Sequence, residues 1–424
     1  MTNIFNKIFK KDRNLNYINQ SFQNLKRISF SEKIFSSISK YSDDSEARYV
    51  GGCVRKILNK EVVDDIDLAT NLDPKIITNI LKNNNINYFE TGIDHGTITA
   101  VINDKNFEIT SLRKDVSTDG RHAEVEFSNS WLEDSSRRDF TINSIYADID
   151  GNLFDPYDGK KDLEKGIVKF IGDPEKRIKE DYLRILRYIR FYLNYSKYDH
   201  SPEVKKIIKQ NLTGIKKISK ERLLAELKKL FISKGFLKIN NDPFCLEVIL
   251  LIFPELKNIN LFNNLNSFAL NLIESKDFIF LISLMIIDDS DNVDYFIYKY
   301  NLSNNDKKRI IFLKNFFSKK IEKGQFTEKN LWHVFYLNNK ERLNDVINFQ
   351  IFRSKKIDKK IINLKKYFHN KEKPVFPVKA QNLIDQFNLK EGVQLGKKLK
   401  ELENLWINNS FKISNKEIEK IVNN

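Results

Sequence analysis

Cysteine is nearly missing from this sequence. Cys53 and Cys245 are the only two in 424 residues, far apart and without CxxC spacing, which argues against a disulfide framework or a zinc site. Histidine is also scarce, with five scattered residues and no HExxH pattern. Glycine (14) and proline (8) are too few for a long flexible linker,. The longest apolar run, Phe278 to Ile287, falls short of the roughly 20 residues that cross a bilayer, so no membrane partner is expected. No GxxxxGK[ST] loop occurs, which excludes a Walker-type phosphate site,. The lysine-rich N-terminus lacks a long apolar core and a small-residue cleavage site. No signal peptide is expected, and a cytoplasmic protein follows by default. No repeat of fixed period is evident.

Hydrophobic residues are plentiful at 41 %, enough for a sizeable core,. The length suits about two to four domains. Lys and Arg total 72 against 57 acids, a formal charge of +15. That surplus fits a polyanionic partner or a basic surface left by compositional drift, and charge does not separate the two.

Composition changes character near residue 155. Before it, short β-branched runs predict strands at Arg48–Val50, Val62–Ala69, Tyr88–Thr91, Thr97–Ile102, Phe107–Leu112 and Ser144–Ile149,. "NDKN" (103–106) reads as a hairpin turn, and Asp73-Pro74 opens a helix to about Lys82,. After residue 173 helical periodicity dominates. "DPEKRIKEDYLRILRYIRFYL" reads as helix, followed by Lys220–Ser233, Asn264–Glu274, Phe278–Ile287, Lys307–Phe317 and Lys356–Tyr367,. "EKPVFPVKA" (372–380) breaks the pattern,. The fold class is α+β: a head with a small mixed sheet, then an all-α remainder.

"VVDDIDLAT" (62–70) places three aspartates in an apolar strand pattern. Alternation puts Ile66 and Leu68 on one face and Asp65 and Asp67 on the other. Two residues apart on a strand, the carboxylates sit about 6–7 Å apart along it, within reach of Mg²⁺, a hard cation that prefers oxygen ligands. A strand with one solvated face is the plain alternative. Upstream, "YVGGCVRKIL" (49–58) sets Gly51 and Gly52 before a helix, with Arg55 one turn in, a disposition that can cradle a triphosphate. Glu108, in "NFEITSLR", alternates with Phe107 and Ile109 and supplies a third carboxylate if its strand lies beside the first,.

Together these stretches resemble the nucleotidyltransferase head of the polymerase-β superfamily. More narrowly they resemble class II CCA-adding enzymes, through "TDGRHAEVEF" (118–127), "RRDFTINS" (137–144), "DPYDGKKDLEKGIVKFIGDPEKRI" (155–178), "EDYLRILRYIRF" (180–191) and "KERLLAELKKL" (220–230). The resemblance covers residues 48–235. It implies Asp65 and Asp67 as Mg²⁺ ligands, with Glu108 as third catalytic carboxylate. It also implies triphosphate contacts at Gly52 and Arg55, nucleotide contact at Arg138, and ribose contact at Asp139. Asp181 and Arg184 would serve as a protein template that reads CTP and ATP. Asp accepts from an exocyclic amine, which C carries at N4 and A at N6, whereas U and G carry oxygen at the matching positions. Arg187 and Arg190 would meet other parts of the nucleotide, with Arg190 equally able to act as an ion-pair partner.

Two departures stand out: Lys56 where the family usually has Asp, and Ser144 where it often has Ala. The implied organisation is an N-terminal extension (1–30), head (31–155), neck (156–235), body (236–370) and tRNA-binding tail (371–424). Lys307–Lys308–Arg309, Lys355–Lys356, Lys359–Lys360 and Lys397–Lys398 are candidate phosphate contacts,. The expected activity is addition of CCA to tRNA 3′ ends. Poly(A) or A-only addition is the alternative within the family, although no "GRRFRLAHV"-like stretch follows the DxD. A catalytically inactive RNA-binding protein is the alternative outside it.

Overall fold

The computed structural model describes residues 17–118, 123–318 and 325–423. Residues 1–16 of the expected extension, and 119–122 of "TDGRHAEVEF", lie outside them; residues 17–29 are helical. The chain divides into two compact units at Phe253/Pro254.

The first unit is built on a seven-stranded mixed sheet ordered β3-β4-β5-β2-β1-β8-β9. The strands are β1 (Ala47–Val50), β2 (Ile66–Thr70), β3 (Asn87–Gly92), β4 (Thr97–Ile102), β5 (Lys105–Ser111), β8 (Tyr146–Ala147) and β9 (Leu153–Phe154). Only the β2–β5 pair is parallel. A separate hairpin joins β6 (Arg113–Thr118) and β7 (Ala123–Phe127). Sequence reasoning did not separate β6, β7 and β9 from loop.

Period-two alternation decides the two faces. Ile66 and Leu68 join Tyr49, Cys53, Ile98, Phe107 and Ile109 in the main core, against the helices Glu32–Ser39 and Pro74–Asn83,. Ala69, Val50, Leu112 and Tyr146 form a smaller cluster with Trp131 and Phe154. The expected strand Val62–Ala69 is shorter than its pattern. Residues 61–65 are irregular, and Val62 is 87 % exposed. Lys60, with φ 58°, turns the chain before that stretch. The expected Ser144–Ile149 strand contracts to Tyr146–Ala147 because Thr141–Asn143 form a 3₁₀ turn just before it. The hairpin turn tightens to Asn103 and Asp104, both with positive φ (48° and 60°), as a two-residue type I′ connection requires.

Among the described residues no strand follows Phe154. The run read as one helix is two, Pro174–Glu180 and Arg184–Tyr195, with Asp181 extended between them (φ −153°, ψ 104°). Pro174 at the first turn and the Asp173 side chain, which accepts from the Lys176 amide, start the first helix,.

The second unit is helical, from Ser267–Ile273 to Asn415–Asn423. Its C-terminal core gathers Leu383, Leu395, Leu402 and Val422, and Trp406 is buried against Phe376. Arg309, expected beside Lys307 and Lys308 as a phosphate contact, is instead committed inward. It bonds Asp345 at 2.7 Å and Asp277 at 2.9 Å, with 12 % of its side chain exposed. Lys355, Lys356, Lys359, Lys360 and Lys397 are exposed.

Candidate active site

Asp67 and Glu108 face each other directly. They are register partners across the parallel β2–β5 pair, which sets their backbones about 4.8 Å apart with side chains on one face. Asp65 lies one residue before β2 and is exposed, while Asp67 is half-buried. Burial first, then the neighbouring Glu108 and Asp65 carboxylates, push the Asp67 carboxyl up to about 6, against the pull of Arg138 and Arg55. A divalent cation would relieve that repulsion, although the ligand oxygens of Asp65, Asp67 and Glu108 do not all lie within 4.8 Å of one another,.

The Gly51–Gly52 turn brings backbone against this carboxylate. Gly51 has φ +66°, which favours glycine, and caps the helix Gly52–Leu58,. A Cβ on Gly52 would stand 3.8 Å from Asp67 Oδ2, and one on Gly51 would stand 3.7 Å from Arg138 Nη1.

A cleft of about 1110 Å³ opens beside these residues. It is lined by Gly52, Arg55, Asp65, Asp67, Arg138, Asp139, Asp181, Arg184, Arg187 and Arg190, so every expected site residue except Glu108 borders one cavity.

Several of them have partners that differ from the expected ones. Arg55 is buried, donates through Nη1 to Asn143, and lies over Phe191 (4.8 Å). Its Nε is buried without a partner. Asp139 accepts from Arg187 Nε (2.6 Å), Asn143 Nδ2 (2.9 Å) and the Phe140 amide (2.9 Å). Burial would raise its carboxyl, but Arg187 and these donors hold it at about 2. The expected ribose contact therefore meets a carboxylate already engaged, and Asp139 orients Arg187 and Asn143. Arg190 pairs with Glu226 and lies over Phe191 at 4.3 Å, the ion-pair alternative of the two.

Asp181 and Arg184 are not paired along one helix, because the helix breaks at Asp181. Asp181 Oδ2 accepts from Arg222 Nη2 (2.7 Å), and Oδ1 accepts from the Leu183 amide (3.1 Å). Arg184 bonds Glu180 and the Arg177 carbonyl (2.7 Å). Both residues still border the cleft.

Sequence reasoning missed the support beneath this surface. Asp134 is 1 % exposed and accepts from Arg137, Arg138 and Tyr146 (2.5 Å). Its signal was available, since Asp134 stands three and four residues before the two arginines. Arg222 and Asn143 carried no local signal. The one grouping of His, Cys, Asp and Glu atoms among the described residues lies elsewhere: His200, Asp242 and Cys245, whose candidate ligand atoms are within 4.8 Å of one another. Histidine and cysteine are thus not all scattered in space. His200 Nε2 lies 3.0 Å from Asp242 and 3.5 Å from Cys245, and Nδ1 lies 2.9 Å from Tyr188 Oη, so the three already satisfy one another.

Residues 47–169 match the model of the poly A polymerase head domain. Residues 198–259 match a second model, described as the probable RNA and SrmB-binding site of polymerase A. The chain is 47 % identical over 193 residues to the human mitochondrial CCA tRNA nucleotidyltransferase 1, covering 45 % of this chain and 44 % of that protein. It is 33 % identical over 273 residues to a Staphylococcus aureus CCA-adding enzyme, covering 62 % and 63 %. The match thus spans under half the length of the mitochondrial relative. The fold is similar to that of the Bacillus stearothermophilus CCA-adding enzyme solved with CTP, with a TM-score of 0.67 at 22 % identity over 89 % of this chain and 92 % of that one.

Proposed function

We propose that this chain is a template-independent RNA nucleotidyltransferase that adds CCA to the 3′ end of tRNA from CTP and ATP, releasing pyrophosphate. The observation that carries the reading is the register pairing of Asp67 with Glu108 beside the arginine-lined cleft that Asp181 and Arg184 also border. Relatives that match over the head and helical segment are named CCA-adding enzymes or CCA tRNA nucleotidyltransferases, which supports the product.

Asp65 and Asp67 would hold Mg²⁺, with Glu108 completing the acidic face. Bound there, Mg²⁺ would activate the tRNA 3′-hydroxyl and neutralise charge on the phosphates. Gly52 and Arg55 receive the triphosphate, and Arg138 contacts the nucleotide next to Asp67. Each oxygen of Asp181 still has a lone pair for the exocyclic amine of C or A, and U and G present oxygen there. Arg184 donates to ring acceptors, and Arg187, set by Asp139, borders the sugar and phosphates. The head (31–155), the neck (156–235) with its selecting segment, the body (236–370) and the tail (371–424) share the work. The exposed lysines of the body and tail meet phosphates of tRNA, recognised by shape. Among the described residues no helix is long and apolar enough to cross a membrane. The site of action proposed is the cytoplasm, although the human relative is named mitochondrial.

The deciding experiment mixes the protein with Mg²⁺, labelled CTP and ATP, and tRNA lacking its last three nucleotides, read at single-nucleotide resolution. Addition that stops after C, C and A supports the reading, and Asp67→Ala abolishes it. A long adenylate ladder assigns the chain to poly(A) synthesis, and no incorporation leaves only RNA binding.

A further inference from the structure

We propose that Lys56 is a positioning residue for the carboxylate of Asp65, holding the metal-ligand segment in place from the phosphate side of the cleft. The inference rests on reading this cleft as a nucleotidyl-transfer site. Asp65 has little else to fix it: it is exposed, it precedes β2, and residues 61–65 have no regular structure. Lys56 grips both ends of that segment. Its carbonyl accepts the Glu61 amide at 2.8 Å. Its ammonium pairs with the Asp64 carboxylate. Asp64 Oδ1 in turn accepts the amide N–H of Asp65 at 3.0 Å, so the lysine charge reaches the backbone of the ligand itself.

The geometry has a direction. Lys56 follows Arg55 in the helix that opens at the Gly51–Gly52 turn, and both line the cleft. A second tether, Tyr195 Oη to Glu61 Oε2 at 3.2 Å, secures the far end of the same segment to the helix Arg184–Tyr195. A segment ordered before the cation arrives loses less conformational freedom when it binds, so the clamp raises metal affinity without touching the metal.

The test is calorimetric titration of Mn²⁺ into the full chain with a non-hydrolysable CTP analogue, a readout independent of turnover. Lys56→Gln removes the charge, and Asp64→Asn keeps an oxygen for the Asp65 amide while removing the pair. Each single variant is expected to weaken Mn²⁺ binding about three- to fivefold, the range of a partly exposed ion pair. The double variant is expected to be no weaker than either single one, since both break the same contact. Unchanged affinity in both single variants, or losses that multiply in the double, overturns the clamp. Asp67→Asn is the control. If wild type binds no Mn²⁺, or the control binds as well as wild type, the site reading falls and the clamp with it. If the control loses Mn²⁺ while Lys56→Gln and Asp64→Asn do not, the clamp alone falls.

Discussion

Two acids of one cleft titrate far apart, and their neighbours explain why. Asp139 is buried against Arg187 and stays ionised down to about 2. Asp67 is half-buried beside Glu108 and Asp65, and its carboxyl is pushed up to about 6. For Asp67 the sign runs against the usual acid behaviour. Its folded value lies above the unfolded one, so the folded chain binds more protons between about pH 4 and pH 6. Stability of the metal-free protein therefore falls as pH rises through that window. Asp67→Asn is expected to remove this component, and its thermal midpoint gains on wild type as pH rises. Midpoints measured in chelator across that range check it; parallel curves for the two proteins would contradict it. Saturating Mg²⁺ is expected to shrink the difference, because the cation replaces the proton.

At the scale of elements, the break at Asp181 matters most. The helices Pro174–Glu180 and Arg184–Tyr195 meet at an extended residue, and a third helix, Lys220–Phe231, braces both sides of the joint. It supplies Arg222 to Asp181 and, one turn on, buried Glu226 to Arg190. Asp181 is thus aimed by a neighbouring helix. Arg222→Ala is expected to lower discrimination of C and A over U and G by about tenfold, the order of one charge-assisted hydrogen bond. Competing nucleotide incorporation measures it, and an unchanged ratio with intact folding would refute the bracing role.

The sequence shows why part of this was readable. Alternation along 62–70 and 107–112 told which side chains share a face, because strand period is fixed by backbone geometry. Local order does not report which helix lies across from Asp181, since Arg222 is 41 residues away. It also did not show the helix break, because the apolar spacing continues through it while the backbone leaves the helix over residues 181–183. The Asp139–Arg187 contact was hidden for the same reason, with 48 residues between the partners.

At the scale of the molecule, the two units are stabilised differently. The first rests on a sheet with helices on its main apolar face. The second is helical and contains an ion network at Arg309, which joins Asp277, Asp345 and Glu341. Asp345 is buried, so Arg309→Met leaves its carboxylate with only the longer Arg342 contact at 3.6 Å. A loss of about 3 kcal/mol is expected, read as a lower calorimetric midpoint. A midpoint equal to wild type would mean the network adds nothing beyond packing. Lys308→Met, at an exposed neighbouring position, is expected to leave the midpoint in place and serves as the comparison.

The turn at Asn103 and Asp104 carries a consequence that its distance in sequence from the aspartates conceals. It joins β4 to β5, and β5 is the strand that presents Glu108 to Asp67. Loop length there sets parity: one residue more or fewer in the pairing would send Glu108 into the oily layer and bring Phe107 out to water. A corner outside the cleft lining thereby acts as a counting device for the chemistry, tolerant of which small polar residue it holds and intolerant of how many.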